Sequence, residues 1–110
     1  MHTYYNPFLL KFSTWCGQKV ELDLERYETC TLLLSDGSEI RVNVRSMWAQ
    51  AVLVRRHGLP MAMSKHDVMD KWHTAHEIKN YIDEKKLRIT GRADIPRQKP
   101  PAGQSENAAP

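Results

Sequence analysis

Long apolar runs are missing from this 110-residue chain, which excludes a helix able to cross a bilayer. Met1–Asn6 lacks the basic and then apolar pattern of a secretory signal. Cysteine is scarce: Cys16 and Cys30 are too few for a disulfide framework. These absences predict a cytoplasmic protein with reduced thiols and no membrane contact. A glycine-rich phosphate loop, a nucleophile elbow and a His-Glu-x-x-His pair are missing as well. The expectation is a non-enzymatic protein with no cofactor and no bound metal. A continuous helix over 65–86 would align His66, Asp70, His73 and Glu77 on one face, but solvated helix faces of that composition are common.

Charge is present in near balance, with 16 Lys and Arg against 13 Asp and Glu. Its distribution is uneven. Glu21, Asp23, Glu25, Glu28, Asp36 and Glu39 lie between Val20 and Ile40, against Arg26 alone. From Arg41 to Lys65 acid is absent, while Arg41, Arg45, Arg55, Arg56 and Lys65 are basic. Lys85, Lys86, Arg88, Arg92, Arg97 and Lys99 form a second basic block, against Asp94. A polar molecule with faces of opposite sign follows.

Two segments alternate strictly. Val20, Leu22 and Leu24 interleave with Glu21, Asp23 and Glu25; Ile40, Val42 and Val44 interleave with Glu39, Arg41, Asn43 and Arg45. A period of two places each set on one face of a sheet. Thr29–Leu34 reads as the strand between them, joined to the second by Ser35-Asp36-Gly37-Ser38. A two-residue turn would bury Leu33 and expose Cys30, Leu32 and Leu34. A three-residue turn with Gly37 left-handed pairs Leu32 with Ile40 and Cys30 with Val42, and is preferred because it buries the larger apolar set. Phe8–Trp15 is a candidate fourth strand with Phe8, Leu10 and Phe12 on one side, turning at Cys16-Gly17-Gln18.

Beyond Ser46 the spacing changes. Met47, Trp48, Ala51, Val52 and Val54 or Arg55 predict a helix over 47–57, with Ser46 as N-cap and Gly58 past its end. Ser64 with Asp67, and Thr74 with Glu77, each have the capping-box form. They predict two helices, Lys65–Trp72 and Ala75–Lys86, with a tight turn at His73-Thr74. Val68, Trp72, Ala75, Ile78 and Ile82 also form one continuous stripe, which is the pattern of a single long helix. Leu87–Thr90 is a candidate short strand. Most of the six prolines fall from Pro96 onward among Gly, Gln, Ser, Asn and Ala, a composition that cannot bury enough surface to order itself.

The fold class expected is therefore α+β: an antiparallel meander of three or four strands followed by two or three helices. The domain is expected to span 1–91, with 92–110 as a disordered basic tail. The helix pair with its following strand resembles a winged-helix domain on the spacing Val68, Thr74, Ile78, Ile82, with Leu87–Ile95 as a stunted wing. That resemblance covers about a quarter of the chain and implies a helix-turn-helix in a groove of duplex DNA. Trp72 and His73 at the turn, and Asp83 and Glu84 near the face, depart from it. The candidate nucleic-acid contacts are Thr74, His76, Lys79, Asn80, Lys85, Lys86, Arg88 and Arg92. The alternative is an adaptor or inhibitor that binds another protein through an acidic sheet face, Glu21, Asp23 and Glu25, or through the aromatic residues Tyr4, Tyr5 and Trp15. A homodimer is left open.

Overall fold

A computed structural model of the chain describes residues 8–45, 48–63 and 71–97. Among these residues the chain forms seven strands and one helix: β1 Leu9–Ser13, β2 Lys19–Asp23, β3 Tyr27–Leu34, β4 Glu39–Arg45, β5 Trp48–Val54, β6 Met61–Ala62, α1 Lys71–Glu84 and β7 Ile89–Pro96. β1 and β2 form a two-stranded antiparallel sheet, and the others form a five-stranded sheet in the order β6-β5-β4-β3-β7. No helix among the described residues is long and apolar enough to cross a membrane.

Alternation dictates the core. Val20 and Leu22 of β2, with Leu24 just beyond it, face inward, as do Cys30, Leu32 and Leu34 of β3 and Ile40 and Val42 of β4. Val44 packs at the edge of the same cluster. The register Leu32↔Ile40 and Cys30↔Val42, with Gly37 at φ 89°, is that of the three-residue turn. Glycine is needed there because an L side chain at this φ is strained. β1 pairs with β2 in the register Leu10↔Leu22 and Phe12↔Val20, so Leu10 joins the core and Phe8 and Phe12 flank it.

The chain continues as a sheet where a helix was expected over 47–57. β5 pairs with β4 from Arg45↔Trp48 to Glu39↔Val54. Ala49, Ala51 and Leu53 face the core while Gln50, Val52 and Val54 alternate with them. Both faces carry apolar residues, so no period of two is visible, and β-branched Val52 and Val54 suit the pleat. Gly58 serves the turn after β5, donating its amide to the Arg55 carbonyl, and caps no helix.

The expected corner at His73-Thr74 is absent, because α1 runs unbroken through both residues. Thr74, Ile78 and Ile82 are fully buried at intervals of one turn. Burial of each isoleucine contributes about 2 kcal/mol. Thr74 lies within the helix rather than at its start, and its hydroxyl donates to the Ala49 carbonyl at 3.0 Å. The small Ala49 and Ala51 let α1 approach β5, and the helix packs on β1 as well. The proposed first helix, including Val68, falls largely at 64–70, outside the described residues. The fold is accordingly a mostly β protein with one described helix, and the two or three helices of a winged-helix arrangement are not its architecture. Leu87–Ile95 is no wing either: β7 lies in the sheet beside β3, from Leu34↔Ile89 to Tyr27↔Pro96. It carries the sheet past Gly91, the domain limit expected from sequence.

Side chains lace the two sheets together where β2 and β7 approach. Gln18 exchanges two hydrogen bonds with the Ile89 backbone. Arg92 donates to the Glu21 carbonyl, and Arg97 donates to the carbonyls of Leu24 and Glu25.

Candidate nucleic-acid interface

The end of α1 is built as a cap that also presents charge. The Leu87 amide donates to the Ile82 carbonyl, and the Lys86 amide donates to that of Asp83. Lys86 adopts φ 54°. This is a Schellman motif with lysine in the left-handed position usually held by glycine, and buried Ile82 and Leu87 provide its apolar contact. The helix thus stops at a fixed point and turns the chain into β7.

Over this cap sits Trp15, from the turn between β1 and β2. The turn is closed by the Gly17 amide on the Thr14 carbonyl and by the Gln18 amide on the Thr14 hydroxyl. The Trp15 indole N–H donates to the Leu87 carbonyl at 2.7 Å. Its backbone amide donates to Asp83 Oδ1 at 2.8 Å. The ring therefore has a fixed position while 39% of the residue stays exposed. Lys86 Nζ lies 5.3 Å from the ring centroid and the Arg88 guanidinium carbon lies 5.1 Å from it, within cation–π range. Burial pushes the Asp83 carboxyl up, but the hydrogen bonds from Lys79 and Trp15 and the charges of Lys79 and Lys86 hold it below its ordinary value.

A second basic wall meets this cap from the other side. Arg55, Arg56, His57 and Gly58 follow β5, Asp36 and Ser38 come from the turn between β3 and β4, Tyr81 comes from α1 and Lys85 is the residue just past its end. They enclose a groove of about 530 Å³. Lys85 Nζ lies 5.5 Å from the Tyr81 ring centroid. Asp36 is the acid here, and its carboxylate accepts from the Ser38 hydroxyl and amide. Burial raises its pKa, but those two bonds, with Lys85 nearby, leave it below the ordinary value. Neither the Arg55 nor the Arg56 guanidinium has a hydrogen-bond or ion-pair partner among the described residues. Arg88 is tied to the same turn, since its amide donates to Ser35 Oγ and its carbonyl accepts from the Ser35 amide.

The residues singled out by sequence separate into two groups. Lys85, Lys86 and Arg88 converge at this basic end, together with Trp15. Thr74 is buried. Lys79 is engaged by the Ser13 carbonyl at 2.6 Å and by Asp83 at 2.8 Å. Arg92 is held by Asp94 and the Glu21 carbonyl. His76 is exposed on α1 and Asn80 is half-buried; Asn80 lines a cavity of about 320 Å³, with Leu53, Met61, Glu77 and Glu84, that shares Arg55 and Tyr81 with the groove. Of the acids, Asp23 and Glu25 lie at the turn that leads into the other end of β3, and Glu21 lies along β2. Glu21 pairs with Lys11 at 3.8 Å, Asp23 accepts the amides of Glu25 and Arg26, and Glu25 is exposed. β3 is eight residues long, which separates the acidic turn from the basic end by about 25 Å. Tyr4 and Tyr5 lie outside the described residues.

Sequence spacing missed Arg55, Arg56 and His57 as site residues because a helix was expected there. The acid-free run from Arg41 to Lys65 was their signal. No group of three metal-ligating side chains occurs among the described residues; His66 and Asp70 lie outside them. No protein-family model, curated protein or solved structure matches the chain.

Proposed function

We propose that this chain is a cytoplasmic, non-enzymatic DNA-binding accessory protein that holds the phosphate backbone with the basic end around Trp15, rather than with a helix in the major groove. The observation that carries this reading is the placement of Lys86 and Arg88 beside the fixed Trp15 ring, with no acidic partner within ion-pair distance among the described residues. Lys85, Arg55 and Arg56 continue the same surface. Cations without acidic partners gain affinity by releasing counterions from a polyanion, and they do so without reading sequence.

A protein partner is the second reading, favoured by the exposure of the immobilised Trp15, since anchored aromatics suit interface centres. Fluorescence anisotropy with a labelled duplex separates the two. Binding to DNA should weaken steeply with salt, and Lys86→Ala with Arg88→Ala should lower the slope of log affinity against log salt by about 2. Absence of binding at about 50 mM salt, where backbone contacts are strongest, would remove the DNA reading.

A further inference from the structure

The groove beside Arg55 and Arg56 has a charge and shape of its own. Arg55, Arg56 and Lys85 line it, against the single carboxylate of Asp36. Three permanent cations less one acid leave an excess of two positive charges. Asp36 is also committed to Ser38, so it is poorly placed to neutralise an arginine. The groove is walled by three separate elements: the β3–β4 turn, the residues after β5 and the end of α1. A linear backbone crossing the Trp15 surface does not need such a concavity.

We propose that this groove binds a phosphomonoester, the terminal phosphate of a nucleotide or of a nucleic-acid end. A phosphodiester inside a strand carries one negative charge, whereas a terminal phosphate carries close to two, which matches the excess in the groove. Arginine is suited to the role because its planar fork grips phosphate oxygens in pairs. The volume of about 530 Å³ exceeds what phosphate alone requires and falls in the range of small-molecule sites. Tyr81 supplies an aromatic wall for the rest of a nucleotide. Gly37 fixes one side: a side chain there would meet Arg56 Cδ at 3.2 Å, so the turn is shaped to let Arg56 lie across it.

The inference deepens the DNA reading and rests on it for the larger ligand. Two matched duplexes, one with 5′-phosphates and one with 5′-hydroxyls, test the ligand end. The phosphorylated duplex should bind about tenfold more tightly, the size of one charge-assisted contact. Arg55→Ala with Arg56→Ala should erase that difference, whereas Lys86→Ala with Arg88→Ala should weaken both duplexes alike. A titration with adenosine monophosphate, followed by amide NMR shifts at Ser38, His57 and Gly58, reads the groove without any duplex. Saturable shifts that vanish in the arginine variant support the site even if no duplex binds, and then identify a free nucleotide as the source. Unmoved amides together with equal affinity for the two duplexes would overturn it. Arg55 and Arg56 are exposed, and the variant's unperturbed spectrum away from the groove will show that it is folded.

Discussion

The side-chain amide of Gln18 binds Ile89 as a neighbouring strand would: Gln18 Nε2 donates to the Ile89 carbonyl at 3.0 Å, and the Ile89 amide donates to Gln18 Oε1 at 2.9 Å. The two residues are 71 positions apart. β7 follows directly from the helix cap, so this contact holds the Trp15 turn against the segment that bears Lys86 and Arg88.

Gln18→Ala should therefore destabilise the fold by about 2 kcal/mol, from two hydrogen bonds of about 1 kcal/mol each. Gln18→Glu separates acceptor from donor. It keeps an oxygen for the Ile89 amide but sets another against the Ile89 carbonyl, and it should cost at least as much as alanine. Chemical denaturation measures both changes. Amide hydrogen exchange at Ile89 should quicken in the alanine variant ahead of global unfolding; unchanged protection would mean the contact is not held in solution.

Asp83 yields a pH prediction. Its folded pKa lies below the ordinary value of 3.8, held there by Lys79 and the Trp15 amide against the opposing effect of burial. A depressed carboxyl pKa contributes stability that is fully present above the unfolded pKa and is lost as pH falls through the folded one. Asp83→Asn should thus be less stable than the parent at neutral pH, and the difference should shrink as pH drops below about 4. Thermal melts at a series of pH values check this. A constant gap across the acid range would show that the carboxylate charge contributes nothing.

Much of the sheet was legible because its strands are wet on one side. Alternation in β2 and β4 revealed the inward face of each strand, and parity chose the turn at Gly37, which aligns Leu32 with Ile40. β5 was hidden because both of its faces carry apolar residues, Ala49, Ala51 and Leu53 on one and Val52 and Val54 on the other. Thr74 and Glu77 have the spacing of a capping box, but the Thr74 hydroxyl meets Ala49 on β5, a contact between residues 25 positions apart that no local pattern reports. The candidate site was half legible for the same reason. The two basic blocks stood out in the sequence. That Arg55 and Arg56 meet Lys85 around one groove, or that the Trp15 ring lies beside both Lys86 and Arg88, depends on how β1, β5 and α1 pack. Sequence placed Trp15 with a protein surface and Lys86 with DNA, whereas the fold puts them side by side.

Lys86 sets stability against function at a single residue. It occupies a left-handed position, φ 54°, which costs a non-glycine residue about 1 kcal/mol. Glycine adopts that conformation freely and asparagine tolerates it. Lys86→Gly should raise stability by about 1 kcal/mol, less the cation–π contact with Trp15, worth about 0.5 kcal/mol at an exposed site. Lys86→Asn should gain less. Both remove one cation from the proposed interface, so both should weaken duplex binding at low salt while the protein melts higher. Lys86→Ala keeps the backbone strain and removes the charge, so it should weaken binding without the stability gain. Melting temperature and anisotropy, measured on the same three variants, separate the two roles. If Lys86→Gly binds DNA as tightly as the parent, Lys86 was kept at the cap for a reason other than phosphate contact.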